Sequence, residues 1–459
     1  MRYFTLMFSQ GLLGLVLLVL FSGCASQPER VLLPLEHTRA APWGALERNE
    51  EGIFEAASAQ DYDAILARRV VSKREKHPEG KIPIRALAIS GGGLRGNYGT
   101  GVITGWSESG QRIEFDIVSG VSVGALMAPF VFLGEAFDGQ LLKSASEAVE
   151  ILSSSKARPS LLRSGSPYVG ESFDALLEKW LTPELIDAVA VQHRLGRRLF
   201  VGSTNLDGRT FTIWDLGMIA ASDRPEKVMV FRKAILASAS VPLVFPPVLF
   251  DVNTPEGTGQ QLHVDGGVQH NVFMADYDAN WVRVLDQAQM SVEDLRVELY
   301  VLHNGYLSAG PPKEAVENSV FPIVGASFGA LFNKSVEEGI YTLWLLSMIS
   351  DSQFNLVHIP NELQIASSVS QVSPADAKYL FTHGQARGKT GNPWHTLEPP
   401  EDKSELLWMI GGEPLANAFE RKYFQQRRQS WDYLEPDDRL SDMESGEDRT
   451  TEAAQCPAP

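Results

Sequence analysis

Three short stretches carry residues able to do chemistry. Ser122 stands in Gly120-Val121-Ser122-Val123-Gly124, directly after the apolar run Phe115 to Ser119. A serine between two glycines after such a run fits a sharp strand-to-helix turn, one that lifts its hydroxyl clear of the backbone as a nucleophile. Gly91, Gly92, Gly93, Leu94 and Arg95, closed by Gly96, follow a second apolar run from Ile84 to Ile89. Their successive N–H groups at a helix start suit a developing negative charge, so the loop reads as an oxyanion hole. Asp265-Gly266-Gly267 ends a short strand at Gln261 to Val264 and offers a carboxylate. Burial would raise its pKa and make it a stronger base for a hydroxyl. The chemistry these residues suit is acyl transfer to a serine followed by hydrolysis.

Two other readings compete for the same residues. Gly91-x-Gly93-x-x-Gly96 also fits a dinucleotide fingerprint, with Glu114 at the expected distance downstream. In a dinucleotide fold that acid sits at the end of the second strand, whereas Glu114 precedes Phe115 to Ser119. A Ser–Asp–His esterase would instead use His303, which follows the strand Arg296 to Leu302. Nothing around His303 marks a dedicated site, and Asp265 is the better-placed base. Only two cysteines are present, Cys24 and Cys456, near opposite ends of the chain. They exclude a disulfide framework and a cysteine metal site, and no cofactor or metal is implied.

The elements that must position these groups alternate. Strands at Ile84 to Ile89, Phe115 to Ser119, Arg198 to Ser203 and Arg296 to Leu302 are interleaved with helices, predicting an α/β fold with a mostly parallel sheet. Helices are expected over Ala125 to Leu133, where Pro129 could kink the chain, and over Glu171 to Leu181. The run of small residues from Ala234 reads as a tightly packed helix ended by Pro242. Arg198 to Ser203 and Arg209 to Trp214 form a hairpin pattern around Thr204 to Gly208. Ile151 to Tyr168 reads as a loop able to cover the site. Toward the C-terminus, Tyr341 to Ile349 reads as an apolar helix, Asn355 to Ile359 as a strand and Glu405 to Gln426 as an amphipathic helix.

The net charge of −17 argues against nucleic-acid binding and against electrostatic docking on anionic lipid. Part of it is local: from Asp432 onward nine acidic residues face two basic ones. Met1 to Gly23 has a basic start and an apolar core from Gly11 to Phe21, the pattern of a secretory signal. Ser22-Gly23-Cys24 resembles a bacterial lipobox, with Phe21 where leucine is usual. That resemblance implies an acylated Cys24 as lipid attachment site, and Ala25 after it favours the outer membrane, facing the periplasm. The chain divides into a signal (1–23), a linker and N-terminal helical segment (24–80), a catalytic domain (81–320), a C-terminal extension of that domain (321–431) and an acidic disordered tail (432–459).

Taken together, the motifs resemble the patatin-like phospholipase family. Gly91-Gly92-Gly93-Leu94-Arg95-Gly96 matches its G-G-G-x-[KR]-G loop, and Gly120 to Gly124 its G-x-S-x-G. Ala237-Ser238-Ala239-Ser240-Val241-Pro242 resembles its A-S-x-A-x-P block, with Ser240 for the second alanine. Asp265-Gly266-Gly267 matches its D-G-[GA], with Asn271 downstream and Phe273 where proline is frequent. The resemblance implies a three-layer α/β/α sandwich and a Ser–Asp dyad of Ser122 and Asp265, without a histidine or metal. It further implies a lipid substrate, so the expectation is a membrane-anchored lipid acyl hydrolase. The competing expectation is a non-catalytic lipid-binding or scaffolding envelope lipoprotein on the same fold. Head group, acyl length and protein partners are left open.

Overall fold

Ile82–Ile89 is apolar almost throughout, and a strand of that kind must be covered on both faces. In the computed structural model this strand, β1, lies inside a nine-stranded sheet flanked by helices. The structure describes residues 30–46, 56–153, 167–242, 244–274, 281–307, 315–363, 365 and 373–397. The expected signal, Cys24, the helix Glu405 to Gln426 and the acidic tail lie outside the described residues.

In chain order, helix α1 (Ala56–Lys76) leads into β1, then α2 (Gly96–Glu108), β2 (Ile117–Val121) and α3 (Val123–Leu133). Helices α4 (Asp138–Ser153), α5 (Pro167–Trp180) and α6 (Pro183–Arg194) precede the hairpin β3 (Arg198–Asn205) and β4 (Thr210–Asp215). Then come α7 (Leu216–Ala221), α8 (Lys227–Ala239), β5 (Val248–Thr254) and β6 (Gly257–Asp265). The chain continues with α9 (Trp281–Ala288), β7 (Leu295–His303), α10 (Val320–Ile349), β8 (Gln353–His358), α11 (Pro374–Lys389) and β9 (His395–Leu397).

Five strands run parallel in the order β3-β2-β1-β7-β8. Antiparallel pairs β3–β4, β3–β6, β5–β6 and β8–β9 complete the sheet. Side-chain alternation assigns the faces: Leu87 and Ile89 join the core cluster with Val102 of α2 and Phe130 of α3. Their neighbours Ile84, Ala86 and Ala88 are equally buried and point to the other face.

The segment expected as a C-terminal extension of the domain contributes a strand to this sheet. β8 extends it beside β7, and α11 packs on α2 through facing glycines. A Cβ at Gly101 or Gly105 would come within 2.2 Å of the Phe381 or Gln385 carbonyl, and one at Gly384 within 2.1 Å of the Tyr98 carbonyl. Only glycine lets two helix backbones approach this closely.

Several boundaries differ from the sequence-based expectation. Both ends of the predicted loop Ile151 to Tyr168 are helical, since α4 runs to Ser153 and α5 begins at Pro167, and 154–166 lie outside the described residues. α8 starts at Lys227 and α10 at Val320, each well before the expected apolar core of the helix. α3 continues through Pro129, which stands in the helix interior.

Candidate active site

Register brings Ser122 and Asp265 together. β2 ends where Val121 pairs with Gly202 of β3, and the next β3 residue, Ser203, pairs with Asp265 of β6. β4 covers the opposite edge of β3 throughout, so β6 takes over the edge that β2 vacates. Ser122 turns away from that edge as Asp265 arrives on it. The turn needs small residues around it. A Cβ at Gly124 would lie 2.3 Å from the Ile89 carbonyl, and one at Gly266 2.3 Å from the Gly202 carbonyl.

Ser122 has φ 56° and ψ −124°, a left-handed conformation that a non-glycine residue adopts only when its surroundings impose it. Ser238 of α8 supplies part of that constraint. Its hydroxyl donates to the Gly202 carbonyl at 2.6 Å and accepts the Ser122 N–H at 3.1 Å. The Ser240 carbonyl accepts the Asp265 N–H at 2.9 Å. The block around Ala237 thus ties nucleophile turn and carboxylate to one helix end, a role that its sequence did not reveal.

Asp265 is fully buried. Its Oδ1 accepts the Gly267 N–H at 2.7 Å, while Oδ2 has no partner of regular hydrogen-bond geometry among the described residues. Burial pushes the carboxyl up to about 7; the nearby Ser122 hydroxyl and the Gly267 amide pull the other way. A carboxyl in that range can hold or release a proton near neutrality.

The glycine loop lies against the same turn. The Gly91 N–H donates to the Asn271 carbonyl at 3.0 Å, and the Arg95 N–H to the Gly92 carbonyl at 3.2 Å. Those two of the five expected oxyanion amides are therefore engaged within the fold, Gly91 by the segment after β6 and Arg95 by the single helical turn over Gly93–Arg95. The amides of Gly92, Gly93 and Leu94 start that turn, where helical N–H groups lack intrahelical acceptors. Gly93 has φ +56° and, with Leu94, lines the same pocket as Ser122. Behind the loop, Asn304 donates its backbone N–H to the Ser90 hydroxyl and its side-chain amide to the Ser90 carbonyl, both at 2.9 Å.

Arg95 stacks on Tyr306, its guanidinium 5.0 Å from the ring centroid, and burial lowers its pKa. His303 is buried behind the loop, Nδ1 3.1 Å from the Ser90 hydroxyl and Nε2 3.2 Å from the Tyr306 carbonyl. Burial pushes its pKa down to about 4, keeping it neutral. It contributes to the scaffold of the loop. Glu114 pairs with Arg69 ahead of β2, at the sheet edge opposite the glycine loop, so the ribose ligand that a dinucleotide site needs has no counterpart there.

From Ser122 a pocket of about 100 Å³ extends between α3, α4, α5 and the turn after α8. Its walls are apolar, among them Phe130, Leu141, Phe173, Leu177, Trp180 and Phe245, with Phe173 and Phe245 edge to face at 4.8 Å. Such a lining holds a hydrocarbon chain and presents little to a charged or sugar-like ligand. Among the described residues no group of acidic, histidine or cysteine side chains is arranged to hold a metal ion.

A parallel α/β sheet with a strained serine at a strand end, a buried carboxylate beside it and an apolar pocket is the plan of an acyl hydrolase acting on lipids. Residues 87–276 match the patatin family model, described as patatin-like phospholipase. A solved structure, VipD from Legionella pneumophila, is 12% identical and aligns over 84% of this chain and 77% of that one, with a TM-score of 0.29. A superposition that loose supports no argument. No curated protein matches the chain.

Proposed function

We propose that the protein is a membrane-anchored serine lipid acyl hydrolase working through Ser122 and Asp265. The observation that carries the reading is the meeting of Ser122, the buried Asp265 and an apolar pocket at one strand end. Asp265 takes the Ser122 proton as Oγ attacks the ester carbonyl of a chain lying in the pocket. The Gly92, Gly93 and Leu94 amides hold the oxyanion. Asp265 then gives its proton to the departing alcohol as the C–O bond breaks. Water attacks the acyl-serine, Asp265 accepts its proton and returns it to Ser122 Oγ, and the fatty acid leaves. A carboxyl pushed up to about 7 supports both halves of this proton traffic. The lipobox-like Ser22-Gly23-Cys24 supports anchoring through an acylated Cys24, facing the periplasm at the outer membrane.

The test is fatty-acid release from mixed phospholipid vesicles by the full chain and by Ser122→Ala, with fluorophosphonate labelling of both. Release and labelling that vanish together in the variant are the expected result. Bound lipid with neither release nor labelling would overturn the reading in favour of a lipid-binding lipoprotein.

A further inference from the structure

The first half of α10 has a composition unlike any other exposed part of the described molecule. Between Glu317 and Lys334 no residue carries a charge. Ile323 and Leu331 are 45% and 65% exposed, and Gly325, Ala326, Gly329 and Ala330 are exposed between them. A Cβ added at Gly325 or Gly329 would meet nothing within 4 Å. An ordinary surface helix shows an apolar stripe and a polar face, whereas between Pro322 and Leu331 the one polar side chain is Ser327. Charge returns at Lys334, which lies 3.8 Å from Glu337 and 3.6 Å from Glu338. From Val336 onward the helix packs into the core through Val336, Ile340, Leu343 and Trp344.

The point where the helix leaves the core touches the active-site loops. A Cβ at Gly267, two residues after Asp265, would lie 2.4 Å from the Phe332 ring. The Ser335 hydroxyl accepts the Asn271 N–H and donates to the Gln269 carbonyl, both at 3.0 Å, and Asn271 in turn holds the Gly91 amide. The exposed apolar half therefore starts beside the Ser122–Asp265 pair and runs outward from it.

Length limits what it can do. Val320 to Leu331 spans about 18 Å as a helix, against about 30 Å for a bilayer core. No described helix is long and apolar enough to cross a membrane. A charge-free helix of this length outside a protein core has the dimensions of an interfacial segment.

We infer that Val320 to Leu331 docks into the surface of a lipid bilayer and brings the Ser122 site to it. The inference rests on the hydrolase reading for its occupant, since a bilayer is where a lipid ester resides. With a net charge of −17 the attraction is apolar, so docking is insensitive to salt.

The experiment uses the full chain carrying Cys24→Ser and Cys456→Ser. A polarity-sensitive dye is attached at Ile323→Cys, at Leu331→Cys or, as control, at Val292→Cys, 66% exposed just ahead of β7. Phosphatidylcholine vesicles are added at low and high salt. The expected result is a blue shift at both α10 positions in both salts and none at the control. The paired variant Ile323→Asp with Leu331→Asp should lose about ten-fold or more of its vesicle hydrolysis and less than about two-fold on a soluble short-chain ester. Dyes that stay in a polar setting would overturn the inference. So would dyes already blue-shifted without vesicles, which would mean cover by this chain or a second copy. The dye signal does not need catalysis: a shift without any esterase activity would sink the hydrolase reading and leave docking intact, and the converse result would do the opposite.

Discussion

Asp116 and Asp265 are both buried aspartates on one sheet, at opposite ends of its parallel strands, and they are treated in opposite ways. Asp116 lies just ahead of β2. Its Oδ1 accepts Arg69 Nε at 2.7 Å, and its Oδ2 accepts the Arg85 N–H at 2.9 Å as well as Lys73 Nζ. Two cations from α1 thus neutralise it and lock that helix to the sheet. Asp265 has one amide donor, an open Oδ2 and no ion pair among the described residues. Equal burial with unequal partners gives a clamp in one case and a carboxyl with an unsatisfied oxygen in the other. What a buried carboxylate does is set by how completely its lone pairs are satisfied.

The comparison can be broken most severely at Asp265. Asp265→Asn should cut fatty-acid release by about 10⁴ or more. The same variant should melt no lower than the parent above about pH 7, measured by circular dichroism. The folded carboxyl is raised from 3.8 to about 7, so the stability it contributes in acid is lost as pH rises through about 7, and asparagine removes that loss. Full activity in Asp265→Asn, together with a dead His303→Ala, would move the base to His303. Gly92→Ala comes next. Its Cβ would meet the Asn304 carbonyl at 2.2 Å, so the loop must shift, and kcat should fall by about 10²–10³ with KM little changed.

Asp116→Ala tests the other end. It leaves Arg69 and Lys73 buried without their shared carboxylate and should cost about 3–5 kcal/mol in a denaturant titration. The turnover of the molecules that remain folded should be unchanged. The smallest effect is on the pH profile. kcat/KM should rise about ten-fold per pH unit below about 7 and level off above it, as a base that must be ionised requires. A flat profile between about pH 5 and 8 would mean that Asp265 is not the titrating group.

Much of the active end was legible beforehand, because strands announce themselves as apolar runs and their sharp turns as glycines. Ser122, Asp265 and the loop from Gly91 to Gly96 all fall where that grammar put them. The residues that hold them were not legible. Ser238, Asn271, Ser335 and Asn304 are single polar side chains whose partners lie far off in sequence, so no local period marks them. The transfer of the β3 edge from β2 to β6 is a register fact and invisible in composition. The same holds for β8, which read as part of an extension although it pairs with β7 inside the sheet. Arg69 and Lys73 lie more than forty residues before Asp116, and only the fold shows them reaching it.

The glycine contact between α2 and α11 has a consequence for how the molecule is made. Gly101 and Gly105 are synthesised early, and the backbone that fills the space beside them arrives only with Gly384 and Gly388. A nascent chain leaving the ribosome carries that slot open until nearly all of the sheet has emerged, and contacts so distant in sequence close slowly. A fragment cut to the family-matched stretch, 87–276, would lack β7, β8 and α11 as well. The motifs around Ser122 and Asp265 are thus complete long before the helix that closes the glycine slot behind them.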